Sequence, residues 1–302
     1  MLTKFKMLKV KITETYLMSK KGNEDGGEDR LVLGPIYYGV VDGSTDKSGN
    51  NWGTPENPKK GGEIAADIIK STLECKNVDL DLTELVNVLN KKMNNAAEKA
   101  NININDVKNL ASASFAVYVH GKNLIYHIGD CNFVFVKENG ELEEHYNEIA
   151  IDKLTSELRS RFIMLCYENK VDPFIDGKDI GREYILWILK KQTELENRQF
   201  RKNYNGKEEW ILGIPYEAMV YKAINGLPTE LNITPVPEGT KEIILTSDGF
   251  KVIKPTLKET LGLLKKQLKD DPHCIGLLKS TNGLRPGNIS YDDMAYLRLK
   301  IN

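Results

Sequence analysis

The alternation of apolar and polar positions divides the chain into strands and helices before any chemistry is considered. Residues 8–18 alternate, with Val10 and Ile12 set against Lys9, Lys11 and Thr13, and predict a strand. A polar, glycine-rich loop follows, from Ser19 to Asp29. The apolar runs 30–33 and 37–41 flank Gly34-Pro35 and predict a hairpin. Turn formers then fill the stretch from Ser44 to Lys60. After them, Ile64, Ala65, Ile68, Ile69 and Leu73 share one helical face. Thr83 is the expected N-cap of a second helix, whose stripe is Leu85, Val86, Leu89, Met93, Ala96, Ala97 and Ala100.

Strand patterning resumes at 112–120 and 123–128, a hairpin around Gly121-Lys122, and at 132–136 and 141–145 around Glu138-Asn139-Gly140. Residues 147–203 differ in character, being charged and helix-prone without strand patterning. Leu154, Leu158, Phe162 and Leu165 mark one amphipathic stretch there, and residues 185–195 another. We read this segment as a helical insertion in one domain spanning 1–302, bordering the cleft and influencing substrate choice. Short strands are expected at 210–214, 219–224 and 231–234, then a strong one from Lys241 that ends in Ser247-Asp248-Gly249. A helix at 257–269 and a terminal strand at 294–301 complete the series. Strands in two runs, with paired helices between and after them, predict helices packed on sheets.

Acids recur where these strands stop. The strand 37–41 runs into Asp42-Gly43, as the later one runs into Asp248-Gly249. A carboxylate there is held by the strand's ladder, and the glycine permits close backbone approach. Asp-Gly alone is ordinary hairpin-turn chemistry, but the pattern repeats far apart in sequence. Glu28-Asp29 precedes the strand that should pair with 37–41, which puts it at the same sheet end as Asp42. Asp130 lies between two strands, and Asp292-Asp293 precedes the last one. The plain alternative is a set of unrelated surface turns. If these acids converge, they repel one another unless a cation neutralises them. Oxygen ligands without His or Cys favour Mg2+ or Mn2+. Two such ions can acidify a shared water and clamp a phosphoryl group.

Composition narrows the partners. Lys and Arg total 42 and Asp and Glu 43, so nothing electrostatic points to nucleic acid or an anionic membrane. Cys75, Cys131, Cys166 and Cys274 form no CxxC and no zinc-like pattern with the histidines, which fits a reduced, cytoplasmic protein. The first ten residues are basic without an apolar run, and neither a signal peptide nor a membrane span is expected. A cysteine phosphatase would need an arginine where Asp81, Lys137, Asp172 and Ser280 follow the four cysteines. Neither a Gly-x-Ser-x-Gly elbow nor a Walker loop is present. His127 reads as a structural strand residue. Nothing near His120, His145 or His273 in sequence recommends them as catalytic.

The motifs Val41-Asp42-Gly43, Gly61-Gly62, Ala65-Ala66, Ala113-Ser114-Phe115-Ala116, Ile128-Gly129-Asp130, Thr246-Ser247-Asp248-Gly249 and Asp292-Asp293-Met294 occur in an order and spacing that resembles the metal-dependent protein phosphatases, the PPM or type 2C family. The resemblance runs from about Glu28 to Leu299. It implies an α+β fold, a four-layer α-β-β-α sandwich of two central antiparallel sheets flanked by helix pairs. It also implies a two-metal site at one end and hydrolysis of phosphoserine or phosphothreonine, on a phosphorylated protein or a small phosphomonoester, by a monomer. By resemblance Asp42 bridges both Mg2+ or Mn2+ ions, and with Asp248 it carries catalysis. The Gly43 carbonyl ligates one ion, Asp248 and Asp292 complete the first, Glu28 and Asp29 serve the second, and Asp130 matches an acid tied to a third.

The chain also departs from that pattern. Ser44 stands where some members have histidine. The arginine that holds phosphate is missing, leaving Lys20 or Lys21 as substitutes. Asn23-Glu24-Asp25 competes with Glu28-Asp29 for the acidic motif, and the strand that begins directly after Asp29 favours the latter. A catalytically silent relative acting as a binding or regulatory module is the second reading. The presence of Asp42, Asp248 and Asp292 together favours an enzyme.

Overall fold

The structure is a computed structural model that describes residues 10–45, 49–75, 80–147, 149–195, 210–211, 214–215 and 221–301. In chain order, the elements begin with strands β1 (Val10–Met18), β2 (Asp29–Leu33) and β3 (Tyr37–Ser44), then helices α1 (Gly61–Leu73) and α2 (Leu82–Lys99). Strands β4 (Ser112–Val119), β5 (Leu124–Ile128), β6 (Asn132–Lys137) and β7 (Leu142–His145) follow, then α3 (Ala150–Glu168) and α4 (Ile180–Leu195). The chain finishes with β8 (Trp210–Ile211), β9 (Ile214–Pro215), β10 (Asn232–Pro235), β11 (Thr240–Thr246), α5 (Leu257–Asp270) and β12 (Met294–Ile301).

Two five-stranded sheets carry the fold, ordered β1-β12-β11-β6-β7 and β10-β5-β4-β3-β2, with every pairing antiparallel. Strand periodicity sends alternate residues to opposite faces, and here both faces are covered. Val40, Ala116 and Tyr118 of one sheet meet Phe133, Phe135, Ile243, Leu245 and Leu297 of the other in a common core. On the opposite face of the second sheet, Val41, Phe115, Val117 and Val119 pack on Ala65, Ala66, Ile69 and Leu73 of α1 and on Leu85, Leu89 and Met93 of α2. On the outer face of the first sheet, Val134, Ile244 and Tyr296 meet Leu264 and Leu268 of α5. The layers therefore run α-β-β-α. Double coverage explains why β4 is buried at every position and why its sequence lacks the alternation of a half-exposed strand.

Local chemistry differs from expectation in places. The N-cap of α2 is Asp81 and not Thr83, because the Asp81 carboxylate accepts from Glu84 N–H at 2.8 Å. In place of the single strand expected at 210–214, two short strands are described, β8 and β9, which pair antiparallel. Residues 219–220 of the next expected strand, like 8–9, 148 and 196–203, lie outside the described residues. What is described at the end of that strand is an isolated bridge from Ile224 to Ala113. No helix among the described residues is long and apolar enough to cross a membrane. Cys131, Cys166 and Cys274 are buried and unpaired, and Cys75 is exposed.

Candidate active site

Strand register, more than any single loop, gathers the acids. Asp29 at the start of β2 stands directly opposite Asp42 near the end of β3, and Asp42 is opposite Ser114 of β4. Ser114 Oγ in turn donates to Asp130 Oδ1 at 2.6 Å. In the other sheet Thr246 of β11 is paired with Asn132 of β6 and with Tyr296 of β12. That register brings Asp248, Asp130 and Asp292 to one end. With Lys20, Glu28, Asp42 and Gly43 they line a cleft of about 700 Å3. Asp29 is 2% exposed beneath it.

Glycines make the close approaches possible. A Cβ on Gly43 would strike the carbonyl oxygens of Gly62 and Glu28, so the first turn of α1 lies directly against the strand end. Gly27, at φ +63°, presses its backbone on the Asp293 carboxylate, where a Cβ would come within 2.6 Å. Asp293 is spent on the loop, accepting from Lys20 N–H at 2.7 Å and from Glu28 N–H at 3.1 Å. Glu28 is held by the Thr45 hydroxyl and by Lys60 at 3.6 Å. By contrast Glu24 and Asp25 are exposed, and Asp25 accepts from Gly27 N–H in a turn. Of the two acidic pairs, the structure carries Glu28 and Asp29 to the cleft.

The electrostatics are those of crowded, desolvated carboxylates. Burial raises Asp42 well above the usual range, with Asp29, Asp248 and Asp130 adding to the shift. Asp29 is raised well above it by burial too, with Asp293, Asp292 and Asp248 adding and a hydrogen bond from Ser247 opposing. Asp248 is pushed up to about 6 by burial, against the pull of Lys251 at 3.6 Å. Burial and Asp152 raise Asp130, while Ser114 works the other way. Asp292 is the exception. Burial opposes its charge, but Lys20 at 3.2 Å and a backbone hydrogen bond hold it below its ordinary value. The nearby Cys131 thiol is pushed far up by burial and by Asp42 and Asp130, which disfavours its thiolate.

Do these residues suit a divalent cation? The donors are hard oxygens, and Asp29 Oδ2 is buried without a hydrogen-bond partner. As the side chains stand, no group of three or more His, Cys, Asp or Glu among the described residues is arranged to hold a metal ion. Lys20 and Lys251 lean on Asp292 and Asp248 instead. Charge decides between these facts. Burial first, and then neighbouring carboxylates, raise Asp29, Asp42 and Asp130 with both lysines in place, and a hard divalent ion would stabilise their charged forms. The donor chemistry fits.

No protein-family model and no curated protein matches the chain. Solved structures do. The chain is similar to the serine/threonine phosphatase PstP/Ppp of Mycobacterium tuberculosis, at 14% identity over 97% of this chain and 98% of that one, with a TM-score of 0.45. It is similar to the serine/threonine phosphatase Stp1 of Staphylococcus aureus at 12% identity, covering 98% and 96%, with a TM-score of 0.44. RsbX in complex with magnesium matches at 11% identity, covering 98% and 100%, with a TM-score of 0.40. Likeness this distant identifies neither family nor activity, and the chain's own residues carry the reading.

The remaining wall of the cleft comes partly from the helical segment expected to border it, through residues that sequence patterning did not single out one by one. Asp152, Lys153, Ser156 and Glu157 of α3, Arg182, Leu189 and Gln192 of α4, and the segment 277–282 all line it. Lys251 was within reach of sequence reasoning, three positions after Asp248. Arg182 was not, since one arginine on an amphipathic helix has no distinguishing neighbour. Lys20 lines the cleft but is tied to Asp292 and Asp293, whereas Lys21 is exposed and not among the lining residues. His127 is a strand residue packed edge-on against Phe133, lowered to about 4 by burial and then by His145.

Proposed function

We propose that this chain is a Mg2+- or Mn2+-dependent phosphatase that hydrolyses phosphoserine and phosphothreonine monoesters. The observation that supports this most is the convergence of strand-end carboxylates, lifted above their normal range, in one cleft. In this reading Asp42, the Gly43 carbonyl, Asp248, Asp292, Glu28 and Asp29 hold two ions, and Asp130 serves a third. Bound divalent ions supply Lewis-acid activation of water and neutralisation of phosphoryl oxygens. The protein's share is orientation: the β2–β3 pairing fixes Asp29 against Asp42, Ser114 fixes Asp130, and Thr45 fixes Glu28. Segment 147–203 is proposed as an insertion that shapes substrate choice, since α3 and α4 supply one wall of the cleft. The unpaired thiols fit a reducing compartment such as the cytoplasm.

A second reading has an observation of its own. Lys20 and Lys251 already sit on Asp292 and Asp248, as they would in a silent module that binds a partner without turnover. Hydrolysis of a generic aryl phosphate separates the two. The enzyme reading expects turnover that appears with Mn2+ and vanishes with EDTA. No turnover under either condition would leave the binding module, and full turnover in EDTA would remove the metal site.

A further inference from the structure

The basic side chains lining the cleft are Lys20, Lys153, Arg182, Lys251 and Lys279 among the described residues. Lys20 is paired with Asp292 and Asp293, Lys251 with Asp248, and Lys279 with Glu157 at 3.0 Å. Arg182 makes no such pair among the described residues. Its guanidinium donates once, from Nη1 to the Thr281 carbonyl at 3.0 Å. An arginine carries five N–H donors in a planar fork, so most of this fork is uncommitted in the wall of the cleft. Burial draws Arg182 below its ordinary value and Asp292 pushes it back, and both residues line the one cleft. The guanidinium remains charged regardless.

Its position is tightly determined. Asp179 Oδ1 accepts from Arg182 N–H at 2.8 Å in the first turn of α4. The other oxygen of Asp179 receives Nε and Nη2 of Arg159 at 2.9 and 2.7 Å, an ion pair with almost no exposure. Arg159 Nη1 also donates to the carbonyls of His273 and Ser280, the residue before Thr281. One buried arginine thus fixes both the backbone that carries Arg182 and the segment that anchors its guanidinium. Such preorganisation is what a binding fork needs, because little freedom is left to lose on contact with the ligand.

A cation with no salt bridge among the described residues, in the same cleft as carboxylates that would themselves hold cations, matches a doubly charged phosphoryl group. Arginine meets two of its oxygens at once, which the point charge of a lysine cannot do. We propose that Arg182, carried on α4, grips the phosphoryl oxygens of the substrate, in place of a residue on the loop before Glu28. That the anion is a phosphoryl group rests on the phosphatase reading above.

The test compares Arg182→Met and Arg182→Lys with wild type and with Lys190→Met, an exposed position on the same helix. Inorganic phosphate binding is measured by calorimetry in Mg2+, and KM and kcat with an aryl phosphate in Mn2+. A charge-assisted hydrogen-bonded contact predicts that Arg182→Met weakens phosphate binding and raises KM by at least about tenfold. The change in kcat should be smaller, Arg182→Lys should recover only part, and Lys190→Met should match wild type. Phosphate affinity and KM within about twofold of wild type in Arg182→Met overturn the proposal. So does a variant that loses only kcat and melting temperature, since Arg182 would then be a scaffold residue. Wild type that binds phosphate through Arg182 without turnover sinks the phosphatase reading and keeps the anion site. Wild type that neither binds nor turns over sinks both.

Discussion

At the residue scale the cluster is a set of unequal carboxylates. Asp29, Asp248, Asp130 and Asp292 all add to the burial that raises Asp42, and in the proposed site Asp42 would hold both ions. Asp42→Asn should lower turnover at least about a hundredfold, the scale of losing a main electrostatic stabiliser, as measured by steady-state kinetics in Mn2+. Glu28→Gln and Asp29→Asn should blunt the response to metal titration, while Glu24→Gln and Asp25→Asn leave it near wild type, since the latter pair lies exposed in a turn. The reverse pattern would move the site to Glu24 and Asp25.

The raised carboxylates also set a pH dependence. A group such as Asp248, with a folded value of about 6 against an ordinary 3.8, takes up a proton more readily in the folded chain. Its contribution therefore falls as pH rises from its unfolded value through its folded one. Asp292, held low by Lys20, contributes the opposite sign at lower pH. EDTA-treated protein should melt at lower temperature at about pH 7.5 than at about pH 5. Asp248→Asn should flatten that difference, and added Mg2+ should reverse it by binding the folded state. A melting temperature that climbs over this interval without metal would contradict the charge crowding.

At the element scale, helix and strand positions were legible where burial imposes a period. The α1 and α2 stripes reached the core as read, from Ile69 and Leu73 to Leu85, Leu89 and Met93. Asp42 and Asp248 were legible because an apolar run meets an acid. The strand expected to stop at Asp42 nevertheless runs on to Ser44, since Asp42, Gly43 and Ser44 still pair with Ser114, Ala113 and Ser112 of β4, and β11 stops at Thr246, two residues before Asp248. Capping was less so, because Asp81 and Thr83 are both good caps and only geometry chooses. The weak strands expected at 210–214 and 219–224 were read less accurately for a different reason: the described pairings there are two short strands at 210–211 and 214–215 and a lone bridge from Ile224 to Ala113, and such short pairings depend on tertiary neighbours. Least legible was the link between the α3–α4 pair and the segment 271–284. It depends on Arg159 and Asp179, which sequence alone presents as ordinary surface charges. Arg159→Ala leaves Asp179 buried without its partner and should cost roughly 3–5 kcal/mol. Amides in α4 and in 273–284 should then exchange faster while those of β4 stay protected. Uniform loss of protection would mean that the pair supports the whole fold and not this wall.

For the whole molecule, the two sheets act as a frame whose registers bring distant residues to one end. Glu28 and Asp292 are far apart in sequence, yet Lys20, Glu28 N–H and Asp293 tie their loops together. That convergence could be anticipated from the repeated strand–acid pattern, and residues 147–203 were expected to border the cleft, but which of their side chains line it was not legible. The frame presents an acidic floor from the strands and a basic fork from α4 across one cleft. The central claim is that the acidic floor works through divalent metal. The direct measurement is phosphate release from a phosphoserine peptide by EDTA-stripped protein during Mn2+ titration, wild type beside Asp42→Asn. The account predicts no release before Mn2+, saturable release in wild type as Mn2+ is added, and at least about a hundredfold less in Asp42→Asn. Equal release from both proteins, or release by wild type that ignores Mn2+, would contradict it.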